Sequence, residues 1–196
     1  MHKKMKRREF RLTGLQTRSE SEGGTCYIEG YFAVFNRETE LWDGWFEQIA
    51  SGAFAESLRD NDIRCLFNHH PDAVLGRTSS GTLTLREDAK GLWGSVAINP
   101  DDQQAMDVYA RVMRGDITGC SFGFYPTGEE VREDPDGSVH FTVTKADTQE
   151  VSVCTFPAYE DTDIAARKRD MEHTEKEKLA QAKEQARRKL EEMKKC

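Results

Sequence analysis

The sequence predicts an α+β domain built mainly from antiparallel strands, in the form of a barrel or a strongly curled sheet. Short segments rich in aromatic and β-branched residues recur along the chain, with turn residues between them. Only two stretches of the domain show helical spacing, and most connections are short, which favours antiparallel neighbours. A charged segment that is prone to form a helix follows this domain.

Composition divides the chain into three segments. Residues 1–24 are basic and polar, whereas residues 25–160 carry nearly all the aromatic and β-branched side chains, enough for a core. Residues 161–196, the C-terminal tail, contain no Gly or Pro and are dominated by Lys, Glu, Gln, Ala and Arg. This composition has high helix propensity, but its apolar residues are too sparse for a heptad seam, so we expect a solvated helix.

Alternation with a period of two predicts about eight strands, with residues 9–12 as a candidate strand before them. A polar turn over residues 129–137 precedes the last two. The predicted strands cover residues 26–35, 46–49, 63–67, 82–85, 92–98, 118–124, 139–144 and 150–155.

Two helices are predicted between these strands. Ser51 can cap a first helix that runs through Leu58. A second helix opens after Asn99, with a proline in its first turn, and Gly115 ends it.

The charge and the cysteine pattern exclude several classes of function. A net charge of −7 argues against a general nucleic-acid partner, and the basic N-terminal run is too short to reverse it. No apolar run approaches the roughly 18 residues of a membrane-spanning helix. The five cysteines are odd in number and lack CxxC spacing, which indicates reduced thiols rather than disulfides or zinc. We therefore expect no membrane, metal or cofactor to be involved.

Residues 118–124 place one hydroxyl between two glycines. In a strand, Phe122 and its alternate neighbours point to one face and Ser121 points to the other. On that face Gly119 and Gly123 have no side chains that would crowd an approaching carbonyl. Ser121 is therefore either a nucleophile or a small residue that makes room for packing.

The pattern Gly-x-Ser-x-Gly also marks the nucleophile elbow of α/β-hydrolases, which lies between a strand and a helix. Here residues 108–114 before the serine are predicted to be helical. The turn residues 125–128 after it cannot open a long helix. The elbow is therefore excluded, and Ser121 needs a histidine from another scaffold.

A serine nucleophile needs a base and a third group that orients the base. His69 and His70 follow a strand of buried type on a loop, and His140 lies in a later strand. Glu150 heads an apolar strand, where a buried charge requires a partner. The residues alone support a catalytic set of His69, Ser121 and Glu150. The alternative is that each has an ordinary role, as a solvated side chain or a residue that makes room for packing.

A set of motifs follows one another along the chain at residues 51–54, 68–69, 75–78, 115–117, 121–124, 150–153 and 155–159. In this order they resemble the prohead serine proteases of tailed bacteriophages. The resemblance covers roughly residues 25–160 and excludes the C-terminal tail. It implies a fold like that of the herpesvirus assemblins and a serine endopeptidase of capsid maturation.

This resemblance also implies where the protein acts and on what. It would be packaged in the procapsid in the host cytoplasm and would cleave the scaffold, or the scaffold-like part of the major capsid protein, as well as itself. The sequence leaves open whether the gene belongs to a prophage. A homodimer also stays open, because assemblins are often dimers and the sequence marks no dimer surface.

The resemblance gives the site residues individual roles. Ser121 matches the nucleophile and His69 the base, whereas His70 falls where the family more often has aspartate. Glu150 occupies the acidic position of the third member. Assemblins use a second histidine there, which leaves His140 as the rival.

Two other functions stay open. The main alternative is a catalytically silent capsid-assembly scaffold protein with the same fold, although such a protein has no reason to keep both His69 and Ser121. A non-proteolytic serine hydrolase is the other, and the missing elbow weakens it. For an active enzyme, the N–H groups of residues 75–78, which leave the His69 loop, are candidates for an oxyanion hole.

Removal of the C-terminal tail tests its expected role as a targeting segment. Trimming within residues 161–196 is expected to leave peptidase activity intact and to reduce packaging, because a charged, helix-prone extension resembles a scaffold segment. Quantification of full-length and trimmed protein in purified procapsids measures this. Equal packaging of the two forms would contradict it.

Overall fold

The computed structural model describes residues 6–8, 15–19 and 26–155, and within these ranges the chain forms eleven strands and two helices. Neither helix is long and apolar enough to cross a membrane. The helices are α1 (Ala55–Asp60) and α2 (Gln103–Arg114). The strands are β1 (Lys6–Arg8), β2 (Gln16–Ser19), β3 (Cys26–Val34), β4 (Thr39–Trp42), β5 (Trp45–Ile49), β6 (Arg64–Phe67), β7 (His70–Arg77), β8 (Leu83–Glu87), β9 (Gly91–Ile98), β10 (Gly119–Glu133) and β11 (Val139–Cys154).

The first sheet is built around the long hairpin of β10 and β11. Its order is β1-β10-β11-β5-β4, and β6 with its partner β7 joins β11 on the same edge as β5. Residues 139–143 of β11 pair with β5 and residues 150–153 pair with β6, both in parallel. Each half of β11 thus supports a different strand.

The second sheet has the order β2-β3-β9-β8, and its pairs are antiparallel. Apolar residues from both sheets and α2 form one core, in which Phe32 and Phe122 are fully buried. Phe122 packs edge-on against Phe54, with their ring centroids 5.3 Å apart. The face of β10 that carries Phe122 is therefore its core face, and Ser121 points to the opposite face.

The helix α2 begins and ends with side-chain and glycine caps. The Asp102 carboxylate accepts hydrogen bonds from two N–H groups in the first turn. Gly115 ends the helix in the left-handed conformation, with φ of 86°, and its N–H donates to carbonyls of the last turn. The predicted end at Gly115 is confirmed.

The helix α1 begins later than the sequence predicts. The N-cap residue is Phe54, whose side chain makes no capping hydrogen bond, and its N–H donates to the Glu87 carboxylate at 2.9 Å. The predicted cap at Ser51 is wrong, because a carboxylate from β8 satisfies the backbone at this end.

The mostly β content with two helices agrees with the predicted class, but the predicted barrel is wrong for the described ranges, where both sheets stay open. The predicted strands 139–144 and 150–155 form one strand, β11, and β10 extends to Glu133. Bulges near Gly123 and Gly128 absorb changes of register, so polar residues continue the hairpin. Residues 9–12 and the C-terminal tail lie outside the described residues.

Gly91 on β9 lies so close to β3 that a side chain does not fit. A Cβ there would lie 2.0 Å from the carbonyl oxygen of Ala33, a backbone atom that cannot rotate away. Gly91→Ala is therefore expected to lower the free energy of unfolding by about 3 kcal/mol. Urea denaturation measures this, with Thr84→Ala at an exposed position of β8 as the control. A loss at Gly91 no larger than that of the control would contradict the expectation.

Candidate active site

Ser121 lies on β10, directly opposite Ser152 on β11, and Gly123 lies opposite Glu150. Directly opposed residues of an antiparallel pair share one face of the sheet, as do alternate residues of one strand. Ser121, Ser152 and Glu150 therefore lie on the same face, and all three are buried. Gly123 leaves room on this face beside Ser121, as the sequence pattern predicts.

The carboxylate of Glu150 is held through both of its oxygens. Oε1 lies 2.6 Å from Nδ1 of His69, and Oε2 accepts a hydrogen bond of 2.5 Å from Oγ of Ser152. A carboxylate only accepts hydrogen bonds, so Nδ1 of His69 carries the proton and donates. This tautomer leaves the lone pair of the imidazole on Nε2. The pair is almost inaccessible to water, with each side chain 3% exposed.

His69 is held on a tight two-residue turn between β6 and β7. Asn68 and His69 both have positive φ, at 51° and 59°, and Phe67 pairs with His70 on either side of them. Two successive positive φ values are typical of the type I′ turn, whose twist matches that of a hairpin. Asn is enriched in this region of backbone space, and so is His. The short turn therefore restricts where the imidazole can lie.

Asn68 ties this turn to the end of β11. Its Oδ1 accepts from the N–H of Thr155 at 2.8 Å, and its Nδ2 donates to Oγ1 of Thr155 at 3.2 Å. The Asn68 N–H also donates to the carbonyl of Val153 at 2.9 Å. These three bonds fix the turn that carries His69 against the strand that carries Glu150.

The imidazole of His69 lies along β11, between Glu150 and Cys154. Its Nδ1 is bonded to Glu150, and its Nε2 lies 3.7 Å from Sγ of Cys154. Glu150 and Cys154 are the alternate neighbours of Ser152 on the same face, so the ring extends across the position of Ser152. Ser121 lies beside Ser152 on the next strand, at a Cα separation of about 5 Å for such pairs. The register thus places the hydroxyl of Ser121 on the same face of the hairpin as the carboxylate of Glu150, to which the imidazole of His69 is bonded.

Comparison with known proteins identifies the protein family of this chain. Residues 13–177 match the family model of the caudovirus prohead serine proteases. The chain belongs to this family. It is 31% identical over 189 residues to the prohead protease of Enterobacteria phage HK97, across 91% of this chain and 76% of that protein. The solved structure of the bacteriophage T4 capsid assembly protease, gp21, aligns with a TM-score of 0.40 and 11% identity, across 74% of this chain and 95% of that one.

The family is one of serine peptidases, so this prohead protease is an enzyme that hydrolyses peptide bonds. The matched residues extend beyond the range 25–160 at both ends, into the N-terminal segment and the C-terminal tail.

His140, the rival third member, lies at the other end of β11 in this prohead protease. Ten residues of strand separate it from Glu150, which corresponds to about 30 Å. Its Nδ1 lies 2.7 Å from Oε1 of Glu38, and its ring stacks on Phe46 with centroids 4.9 Å apart. His140 therefore does not contact His69, and its role here is to join neighbouring strands and loops.

Two of the four residues 75–78 have no N–H group free for an oxyanion hole. The N–H of Arg77 donates to Oγ1 of Thr82, and the N–H of Thr78 donates to the carbonyl of Ile63, both at 2.9 Å. A Cβ on Gly76 would meet Val96 at 2.4 Å, so this glycine allows close packing of β7. The N–H groups of Arg77 and Thr78 are therefore used by the fold, and an oxyanion hole from Leu75 and Gly76 stays a prediction.

Sequence reasoning gave no role to Ser152 or Asn68, although both contact the site. The two-residue period of a strand was enough to predict that Ser152 lies on the same face as Glu150, because it follows Glu150 by two positions. Asn68 carried a weaker signal, since an asparagine in a two-residue connection favours positive φ. The contact with Thr155 depends on the parallel pairing of β6 with β11, which the sequence did not predict.

Substitution of Asn68 separates its backbone role from its side-chain bonds. Asn68→Gly keeps the positive φ but loses both bonds to Thr155, whereas Asn68→Ala also strains the turn. We expect Asn68→Ala to be less stable than Asn68→Gly by about 1 kcal/mol. Urea denaturation of the two variants measures this difference. Equal stability, or a less stable glycine variant, would show that the turn does not require positive φ.

Proposed function

We propose that this prohead protease cleaves the scaffold, or the scaffold-like part of the major capsid protein, with Ser121 as nucleophile, His69 as base and Glu150 as the group that orients the base. The buried hydrogen bond between His69 and Glu150, on the face that carries Ser121, is the observation that supports this most strongly. The arrangement matches the nucleophile, base and orienting acid of serine peptidases.

In the first step, Oγ of Ser121 attacks the carbonyl carbon of the peptide bond while Nε2 of His69 takes the hydroxyl proton. The new C–O bond forms as the carbonyl electron pair moves to its oxygen. Glu150 stabilises the positive charge of the imidazolium through the Nδ1–H bond. Because the carboxylate lies in a site with little water, this interaction is stronger than it would be on the surface.

In the second step, the imidazolium donates its proton to the nitrogen of the leaving amine, and the C–N bond breaks. Water then enters, gives a proton to Nε2 and attacks the ester that joins the substrate to Ser121. The ester C–O bond breaks and Ser121 recovers its proton. Every proton is returned within this cycle, so it requires neither a metal nor a redox partner.

Two thiols of the core, those of Cys120 and Cys65, do not compete as nucleophiles. Burial raises the pKa of Cys120 to about 12, so its thiolate is not populated near neutral pH. Burial also raises the pKa of Cys65 well above its ordinary value, and the charge of Glu150 adds to this effect. The hydroxyl of Ser121 is therefore a better candidate for the nucleophile than either of these two thiols.

The substrate assignment follows from the family. A prohead protease acts in the phage procapsid within the host cell, where the scaffold and capsid proteins are its neighbours. Self-cleavage within the C-terminal tail is part of the proposal, because a charged, helix-prone sequence is what we expect of a self-cleavage region. A homodimer, the exclusion of nucleic acid as a partner and a prophage origin stay predictions.

The silent-scaffold alternative is less consistent with the site. Burying the carboxylate of Glu150 costs desolvation free energy, which makes a buried pair of this kind a weak device for stability alone. A protein without turnover gains little from the buried pair of His69 and Glu150 beside Ser121.

Mass spectrometry of the protein co-expressed with its capsid protein tests the proposal. The wild type should yield truncated chains, whereas Ser121→Ala and His69→Ala should leave every chain whole. Glu150→Gln should lower the cleavage rate by a factor on the order of 10² to 10⁴, because it removes the charge that stabilises the imidazolium.

A matched control is His140→Ala, since His140 also contacts a glutamate but lies at the other end of β11. It should cleave at a rate close to that of the wild type. Identical masses for the wild type, Ser121→Ala and His69→Ala would instead support the silent scaffold.

A further inference from the structure

The buried carboxylate of Glu150 has a second donor that the proposed triad does not use. Oγ of Ser152 donates to Oε2 at 2.5 Å, and neither the hydroxyl nor the carboxylate is exposed to more than trace solvent. Bulk water is therefore not available to replace this hydroxyl. An unsatisfied oxygen on a buried carboxylate is costly, so the bond from Ser152 is important for holding the charge in place.

The two residues paired with Glu150 on the neighbouring strands do not supply this donor. Its partner on β10 is Gly123, which has no side chain, and its partner on β6 is Arg64. The guanidinium of Arg64 is directed to Asp62, with one nitrogen bonded to the Asp62 carbonyl at 2.7 Å and another 3.3 Å from its carboxylate. Ser152, two residues along the strand on the same face, is the neighbour whose short side chain reaches Oε2.

We infer that Ser152 is a positioning residue for catalysis, which acts on His69 through Glu150 and does not touch the substrate. With Oε2 fixed by Ser152, rotation of the carboxylate about its last side-chain bond is restricted, and Oε1 is directed at Nδ1. The imidazole then keeps one tautomer and one orientation, with Nε2 available for the proton of Ser121. This inference deepens the proposed function and rests on it.

Loss of the Ser152 hydroxyl is expected to affect the rate more than binding. Ser152→Ala should lower kcat by about 10- to 100-fold, the range for a lost hydrogen bond to a charged group. KM should change by less than about threefold, because the substrate does not contact Ser152. Ser152→Thr keeps a hydroxyl and should retain most of the activity.

The test uses purified full-length enzyme and capsid protein of the same phage, with cleavage measured over a range of substrate concentrations. Ser95→Ala is the matched control, because Ser95 donates to Glu29 at 2.9 Å in the second sheet, away from the site. It should change neither kcat nor KM. If Ser152→Ala matches Ser95→Ala in kcat, the inference is overturned while the triad stands.

A second readout does not depend on cleavage. The Nδ1 proton of His69, bonded to a buried carboxylate, should give a low-field proton NMR signal that is absent from His69→Ala. Ser152→Ala should shift or broaden this signal, whereas Ser95→Ala should leave it unchanged. An unchanged signal in Ser152→Ala would refute the inference even if Ser121 were shown not to be the nucleophile.

Ser152→Cys covers the case in which the alanine variant does not fold. A thiol keeps nearly the same size but is a weak donor, so this variant should also lose kcat and perturb the His69 signal. Wild-type kcat together with a wild-type signal in Ser152→Cys would overturn the inference.

Discussion

The buried carboxylate of Glu150 is the constraint on which the arrangement of this protease depends. A charge removed from water must be matched by donors at fixed positions, and here His69 and Ser152 supply them. One donor comes from the same strand and is local. The other comes from a turn 81 residues earlier, so the fold must bring that turn to β11. The parallel pairing of β6 with β11 and the bonds of Asn68 serve this purpose.

Alternate side chains of the hairpin of β10 and β11 point to opposite faces. One face packs in the core and stabilises the fold, and the other carries the candidate active-site residues. On one face, Phe122 and Val151 are fully buried in the core that both sheets share. On the other face, Ser121 and Glu150 lie among small residues and the imidazole of His69. Because the two faces use alternate positions, a single pair of strands provides a rigid apolar anchor directly beneath the reactive groups.

The sequence predicted those features that depend on neighbours along the chain. Alternation indicated the face of Ser121, and glycine chemistry indicated the end of α2 at Gly115. Features that depend on distant segments were missed: the cap at Ser51 was wrong because Glu87, far along the chain, satisfies the helix start. The parallel pairs of β11 and the open sheets have no local signature, and bulges let polar residues continue one strand where a turn was expected. The contact between His69 and Glu150 came from chemistry and family resemblance, whereas the fixing of Oε2 by Ser152 required coordinates.

The parallel docking of β6 on β11 has a consequence for the order of folding. β6 and β11 lie far apart in the sequence, so their pairing closes a long loop of chain. Closing this loop costs conformational entropy before the pairing contributes any stabilising free energy, and pairings between distant segments therefore form slowly. Until β11 is in place, a nascent or partly folded chain lacks the hydrogen bond between His69 and Glu150. With the proposed roles of Ser121, His69 and Glu150, proteolytic competence is a property of the completed fold, and a chain still emerging from the ribosome has no assembled site with which to attack its neighbours.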